Sequence, residues 1–151
     1  MEQTLTAKLK ILPDPSDAQL LIDTMHAYSA ACDFVSSYVF LFHDLSLSSL
    51  NRELYRIVRE RFGLRSQMAQ SVLRTVVARY KTILANQHEW IEPKFNKPQL
   101  DLVWNRDYSL NRDKTLFSVN TLQGRIKVPF FAKGVDIDGH FGTAQLVYQH
   151  G

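Results

Sequence analysis

The densest chemistry in the chain is cationic. Residues 52–65, RELYRIVRERFGLR, hold five arginines and only two glutamates. Arg52, Arg56 and Arg59 follow one another at four- and three-residue spacing, so on a helix they share a face. A solvated face normally mixes signs, because each i,i+4 pair of opposite charge adds ~0.2–0.5 kcal/mol. These three repel one another instead. Across residues 48–81 there are seven arginines and one lysine, Lys81. The planar guanidinium fork binds phosphate through two parallel hydrogen bonds and stacks on bases, which an ammonium cannot do. The pattern leaves two readings open: a wet helix face, or a grip on an anionic partner.

Other chemistry is thin. His26, His43, His88, His140 and His150 show no metal-ligand spacing and read as core or surface residues. The DIDGH stretch at 136–140 has an Asp-x-Asp pair but lacks the rest of a calcium loop, so Asp138-Gly139 reads as a turn. Cys32 is the only cysteine, which excludes an internal disulfide and a cysteine-rich zinc site. It falls on the apolar side of its segment, as a small buried hydrophobe rather than a nucleophile. Neither a glycine-rich phosphate loop nor a Ser/His/Asp arrangement occurs. The expectation is a binding chain that is not an enzyme by itself and needs no cofactor, metal or small-molecule substrate.

At 151 residues, 45% hydrophobic and 11% aromatic, the chain suits a folded domain or two small lobes. Its longest apolar run, FVSSYVFLF at 34–42, is too short to span a bilayer, and the N-terminus has no signal-peptide pattern, so a cytoplasmic protein is expected. Net charge is +3 but polarised: residues 1–47 sum to −4, 48–81 to +6 and the rest to +1. Basic charge concentrated in one region favours an anionic partner.

The elements that must position those arginines follow from periodicity. Leu5, Ala7, Leu9 and Ile11 alternate with polar residues as a strand that Pro13 and Pro15 end. A helix then runs from Ser16, with Gln19 completing a capping box, to about residue 42. Its apolar stripe is Leu21, Met25, Tyr28, Cys32, Val35 and Val39. A second helix starts near Ser48 or Ser49 and stops at Gly63, with Leu50, Leu54, Ile57, Val58 and Phe62 on one face and Arg52, Arg56 and Arg59 on the other. Arg61 lies on the apolar side but in the last turn, where a cation is favourable and can snorkel. A third helix, capped by Ser66, reaches about Asn86. Ala69, Val72, Leu73, Val76, Tyr80 and Ile83 face the core, Gln70, Arg74 and Lys81 form a polar flank, and Ser71, Thr75 and Ala78 make a small-residue strip open to a bulky partner. After Glu92 the pattern turns β, in runs at 100–104, 115–121, 125–131 and 143–149, punctuated by turns at Asn111-Arg112-Asp113, Gln123-Gly124 and Asp138-Gly139. The first strand must pair with strands after residue 93, so the fold class is α+β with three helices inserted into one sheet or barrel. Ala144, Leu146 and Tyr148 give the last run one buried face, and its missing hairpin partner reads as a fragment.

Taken in order, TLTAKLKIL, YSAACDFVSSYVF, FGLRSQMAQSVLRTVVARYK, EPKF, RDYSL, QGRIKVPF and GTAQLVYQHG resemble the N-terminal half of TnpB-type proteins. These are the OrfB proteins of insertion sequences, related to type V CRISPR nucleases, and the similarity spans nearly the whole chain. The resemblance implies a small wedge-like β-barrel from residues 1–15 and 93–151, incomplete at its C-terminus, interrupted by a helical recognition domain at 16–92. It implies guide RNA and target DNA as partners, in a bacterial, nucleoid-associated setting, with base pairing supplying most sequence specificity. It places Ser66, Gln67, Gln70 and Arg74 on the helix that meets DNA, where a glutamine can bind adenine through two hydrogen bonds. Arg52, Arg56, Arg59 and Lys81 complete the expected nucleic-acid contacts. The chain departs from the family at Asp33, Ser36 and Ser37, where many members have Arg and then Tyr-Asn, and at Arg65, where close relatives have proline. The RuvC-like nuclease with its acidic triad lies downstream in the family and is not in these residues, so binding without cutting is expected. The competing expectation is a protein-interaction module or truncated remnant that self-associates or pairs with a full-length relative, using helical faces and an unpaired strand edge.

Overall fold

A computed structural model describes residues 8–87, 89–131, 142 and 144–147. A short strand β1 (Lys10–Ile11) precedes three helices, α1 (Pro15–Phe42), α2 (Leu47–Phe62) and α3 (Ser66–Gln87). Five further strands follow: β2 (Gln99–Leu102), β3 (Tyr108–Asn111), β4 (Leu116–Thr121), β5 (Gly124–Phe131) and β6 (Ala144–Val147). The fold is α+β. All strand pairs are antiparallel, in a four-stranded sheet of order β1-β5-β4-β3 and a two-stranded ribbon of β2 and β6. Among the described residues no closed barrel forms.

β1 does pair beyond the helices: Lys10 lies opposite Phe131 and Ile11 opposite Phe130 on β5. Leu5 and Ala7, Asp138-Gly139 and Tyr148 lie outside the described residues. Period-two alternation sets the sheet's faces. Phe117, Val119, Val128 and Phe130 are buried inside, while Ser118, Asn120, Arg125 and Lys127 lie on the outer face. β3 was not among the expected strands: its four residues sit between two turns, too short for alternation to register.

The helices begin slightly earlier than their sequence signals suggest. Asp14, not Ser16, caps α1, accepting the Asp17 N–H at 2.8 Å. Pro15 explains the choice, because a proline at the first helical position has no N–H to leave unsatisfied. Ser46 caps α2 through the Ser49 N–H, and Gly63 ends it in the left-handed region at φ 68°. Ser66 is the first residue of α3 rather than its cap, since the Arg65 carbonyl accepts the Ala69 N–H at 2.9 Å.

All six residues of the α1 stripe are buried, together with Leu50, Leu54 and Val58 of α2 and Ala69, Val72, Leu73, Val76 and Tyr80 of α3. Ile57 is the exception on α2, 43% exposed, while Arg61 lays its guanidinium over the Phe34 ring at 4.9 Å, as its place in the last turn suggests. Helices and strands share one core, which continues through Leu100, Leu102, Val119 and Val128. The strip of small residues on α3 is covered only in part: Ser71 is buried and Ala78 exposed, while the Thr75 hydroxyl donates to Asp101 Oδ2 at 2.8 Å and is 2.8 Å from the Tyr28 hydroxyl.

Asp33 and Ser36 acquire a local reason. Asp33 accepts the Phe95 N–H at 2.8 Å, and the Ser36 hydroxyl donates to the Pro93 carbonyl at 2.9 Å. Ser29 works the same way, donating to Lys97 O at 3.3 Å. Arg79 packs over the Phe95 ring at 4.9 Å from α3. Together they moor the linker between α3 and β2, supplying partners that an irregular segment cannot supply to itself.

Candidate nucleic-acid interface

The basic row on α2 is exposed along its length, but its members differ. Arg52 is half-neutralised by its neighbour, with Nε 3.5 Å from Glu53 Oε1. Such an exposed pair contributes at most about 1 kcal/mol and yields readily to a better anion. Arg56 and Arg59 are one turn further on and, among the described residues, neither pairs with a carboxylate. Both line a cleft of about 650 Å³ with Tyr55, Glu60, Leu64 and Arg65. Leu122, at the tip of the β4–β5 hairpin, closes the far side.

The cleft exists because α2 ends where it does. Gly63 turns the chain back, its N–H satisfied by Arg59 O at 3.0 Å, and Leu64 plugs into the core at 3% exposure. That sets the Arg65 backbone at the start of α3 and leaves its side chain free to lie against the hairpin. The last carbonyls of α2 carry the negative end of its dipole, which eases the gathering of cations there.

The expected residues of α3 form a separate group. Gln70 and Arg74 line a smaller hollow of about 310 Å³ with Ser48 and Asn51 at the start of α2. Arg74 Nη2 donates to Ser71 Oγ at 3.3 Å. Gln67 Oε1 is engaged, accepting from Arg106 Nη1 at 3.1 Å, so base readout by Gln67 requires that bond to open. Ser66 is exposed at the helix start, and Lys81 is exposed in neither hollow, about 10 Å along α3 from Arg74 at 1.5 Å per residue. Of the eight expected contacts, Arg56 and Arg59 therefore line one hollow and Gln70 and Arg74 the other, while Arg52, Ser66, Gln67 and Lys81 line neither.

Sequence reasoning did not assign Arg65, Arg106 or Arg125 to this surface. Arg106 sits in a turn and Arg125 at the start of β5, so nothing in their spacing ties them to α2. Arg125 is held by three uncharged acceptors: Ser118 Oγ at 2.7 Å, Arg106 O at 3.0 Å and Ser109 Oγ at 3.3 Å. The nearby carboxylate is Asp107, buried in the turn before β3. Burial pushes its carboxyl above the usual aspartate range, opposed by a hydrogen bond from the Val103 N–H and by the charges of Arg125 and Arg74. No helix among the described residues is long and apolar enough to cross a membrane, and none of their His, Cys, Asp and Glu side chains cluster in threes that could hold a metal ion. Comparison with protein-family profiles, curated proteins and solved structures finds no match to this chain.

Proposed function

We propose that this chain is a nucleic-acid-binding recognition unit, of the kind that grips guide RNA and target DNA in TnpB-type nucleases, and that it does not cut by itself. The observation that carries the reading is the cleft lined by both Arg56 and Arg59, neither of which has a carboxylate partner among the described residues. Convergent like charges raise the energy of the free protein, and phosphates relieve it. The insertion of three helices between β1 and its partner β5 supports the same reading, and a closed wedge-like barrel belongs to this proposal. So do the division into a barrel of residues 1–15 and 93–151 with a helical domain of 16–92, and a bacterial cytoplasmic setting.

Fluorescence anisotropy with labelled RNA and DNA oligonucleotides tests it. Affinity should fall steeply with salt, with a slope near −0.9 per phosphate contacted on duplex DNA. Replacing Arg52, Arg56 and Arg59 with glutamine should flatten that slope by roughly two to three units. An unchanged slope would remove these arginines from the interface.

A second reading rests on Leu41 and Phe42, which are 73% and 64% exposed at the end of α1. Apolar side chains in that position suit contact with another protein or a second copy of this chain. Sedimentation that shows salt-insensitive self-association in nucleic-acid-free protein would favour it.

A further inference from the structure

We propose that the cleft is a seat for one single strand of nucleic acid, and that the strand continues over the β4–β5 hairpin onto the outer face of the sheet. Arg65 is its third phosphate ligand, and Arg125 and Arg106 extend the path. The proposal rests on the nucleic-acid reading above and narrows it to a class of ligand and a route.

Arg65 is built into the site by Gly124. At Gly124 the backbone has φ 106°, and a Cβ there would stand 3.1 Å from Arg65 Nη2. The bare backbone thus lets the guanidinium lie against the hairpin, which joins the helical side of the cleft to the sheet side. Three guanidiniums then line one cleft against a single carboxylate, Glu60. Among the described residues, Arg56, Arg59 and Arg65 all lack an ion pair.

The residue after Gly124 is Arg125, and its three neutral acceptors fix the guanidinium without cancelling its charge. Its Nη1 binds the Arg106 carbonyl, and the Arg106 side chain reaches back to Gln67 at the start of α3. These contacts tie Arg125 and Arg106 to the start of α3, next in sequence to Arg65, which shares the cleft with Arg56 and Arg59. Cations already held in place lose little freedom when a phosphate arrives.

The shape selects a strand rather than a duplex. The path enters a cleft with a helix end on one side and a hairpin on the other, then turns over the hairpin. Duplex DNA is stiff over ~50 nm and cannot follow such a turn within a few nucleotides. A single strand can, and the Tyr55 ring and the Leu122 side chain in the cleft wall offer it apolar surface beside the arginines. The Arg59 guanidinium lies over the Tyr55 ring, 5.9 Å from its centre, so a base entering there meets an aromatic ring and a cation together.

The test compares single-stranded and duplex oligonucleotides of equal length against the wild type, Arg65→Gln and the double variant Arg106→Gln with Arg125→Gln. Thermal melts confirm that each variant folds. The single strand should bind at least tenfold more tightly than the duplex. Arg65→Gln should weaken single-strand binding about five- to tenfold, and the double variant should flatten its salt slope by about one to 1.5 units, at ~0.7 per phosphate. Equal affinity for duplex and single strand, or wild-type binding by both variants, overturns the route. Displacement of the oligonucleotide by inorganic polyphosphate at equal phosphate concentration also overturns it and reassigns the cleft to a free polyanion. If no nucleic acid binds at any salt, the broader reading fails with it. If the Arg52, Arg56 and Arg59 variant alone loses affinity, the broader reading stands and the route does not.

Discussion

Asp107 is the most conspicuous single residue outside the cleft. Its Oδ2 accepts the Val103 N–H at 2.9 Å, its own N–H donates to the Val103 carbonyl at 2.8 Å, and its carbonyl accepts the Asn120 N–H at 2.8 Å. Oδ1 is buried without a partner among the described residues. A buried, half-satisfied carboxylate favours its protonated form, so the folded state holds this proton more tightly than the unfolded chain does. Stability from the protonated form is full below the unfolded aspartate value, about 3.9, and falls as pH rises toward the raised folded value. Asp107→Asn removes this dependence. The stability of the wild type relative to that variant should therefore decline from about pH 4 upward and level off once Asp107 is ionised in both states. Urea titrations across pH check it, and a difference that does not change with pH would show that Asp107 titrates alike folded and unfolded. The aspartate is plain in the sequence; its burial is not, because RDYS resembles an exposed turn until β3 and β4 close over it.

At the scale of elements, the end of α2 matters most, since it makes the floor of the cleft. Gly63 at φ 68° carries a backbone conformation that costs an L-residue about 1–2 kcal/mol. Gly63→Ala should lower unfolding free energy by that amount, read as a shift in urea midpoint at constant slope. No change would mean that the turn relaxes to another conformation. The helices and their boundaries were readable to within a residue or two, because capping residues, Gly63 and the three- and four-residue apolar spacing act locally. Ile57 escaped that reading because one wheel face is wider than the stripe its neighbours cover. β3 escaped it because four residues between turns carry too little periodicity.

At the scale of the molecule, a few polar contacts tie the helices to the sheet. Thr24, buried in α1, donates to Leu20 O at 2.8 Å and accepts the Leu122 N–H at 3.2 Å from the hairpin tip. Tyr28, Thr75 and Asp101 join α1, α3 and β2, and Gln145 of β6 reaches Asp101 Oδ1 at 3.3 Å. Burial drives the Tyr28 hydroxyl far above the usual tyrosine range, so it serves as a neutral hydrogen-bonding group. Thr24→Val keeps the shape but leaves the Leu122 N–H unpaired, at a cost of about 1 kcal/mol. Because Leu122 lines the cleft, the same change should weaken oligonucleotide binding measurably while leaving every arginine in place. Parallel urea and anisotropy titrations check both effects, and lost stability with full affinity would detach the hairpin from the binding surface.

Composition and periodicity were enough to place three helices, an α+β class, the return of β1 to strands after residue 93, and an exposed row at Arg52, Arg56 and Arg59. These follow from interactions between residues close in sequence, or from the need of an edge strand for a partner. The grouping of the arginines was decided by the tertiary fold alone. Arg56 and Arg59 meet Arg65 because Gly63 reverses the chain, and Arg65 meets the sheet because Gly124, 59 residues later, offers a bare backbone to lie on. Arg125 and Arg106 join them through hydrogen bonds between the sheet and α3. Contacts across such separations depend on how whole elements pack, and no local spacing encodes them.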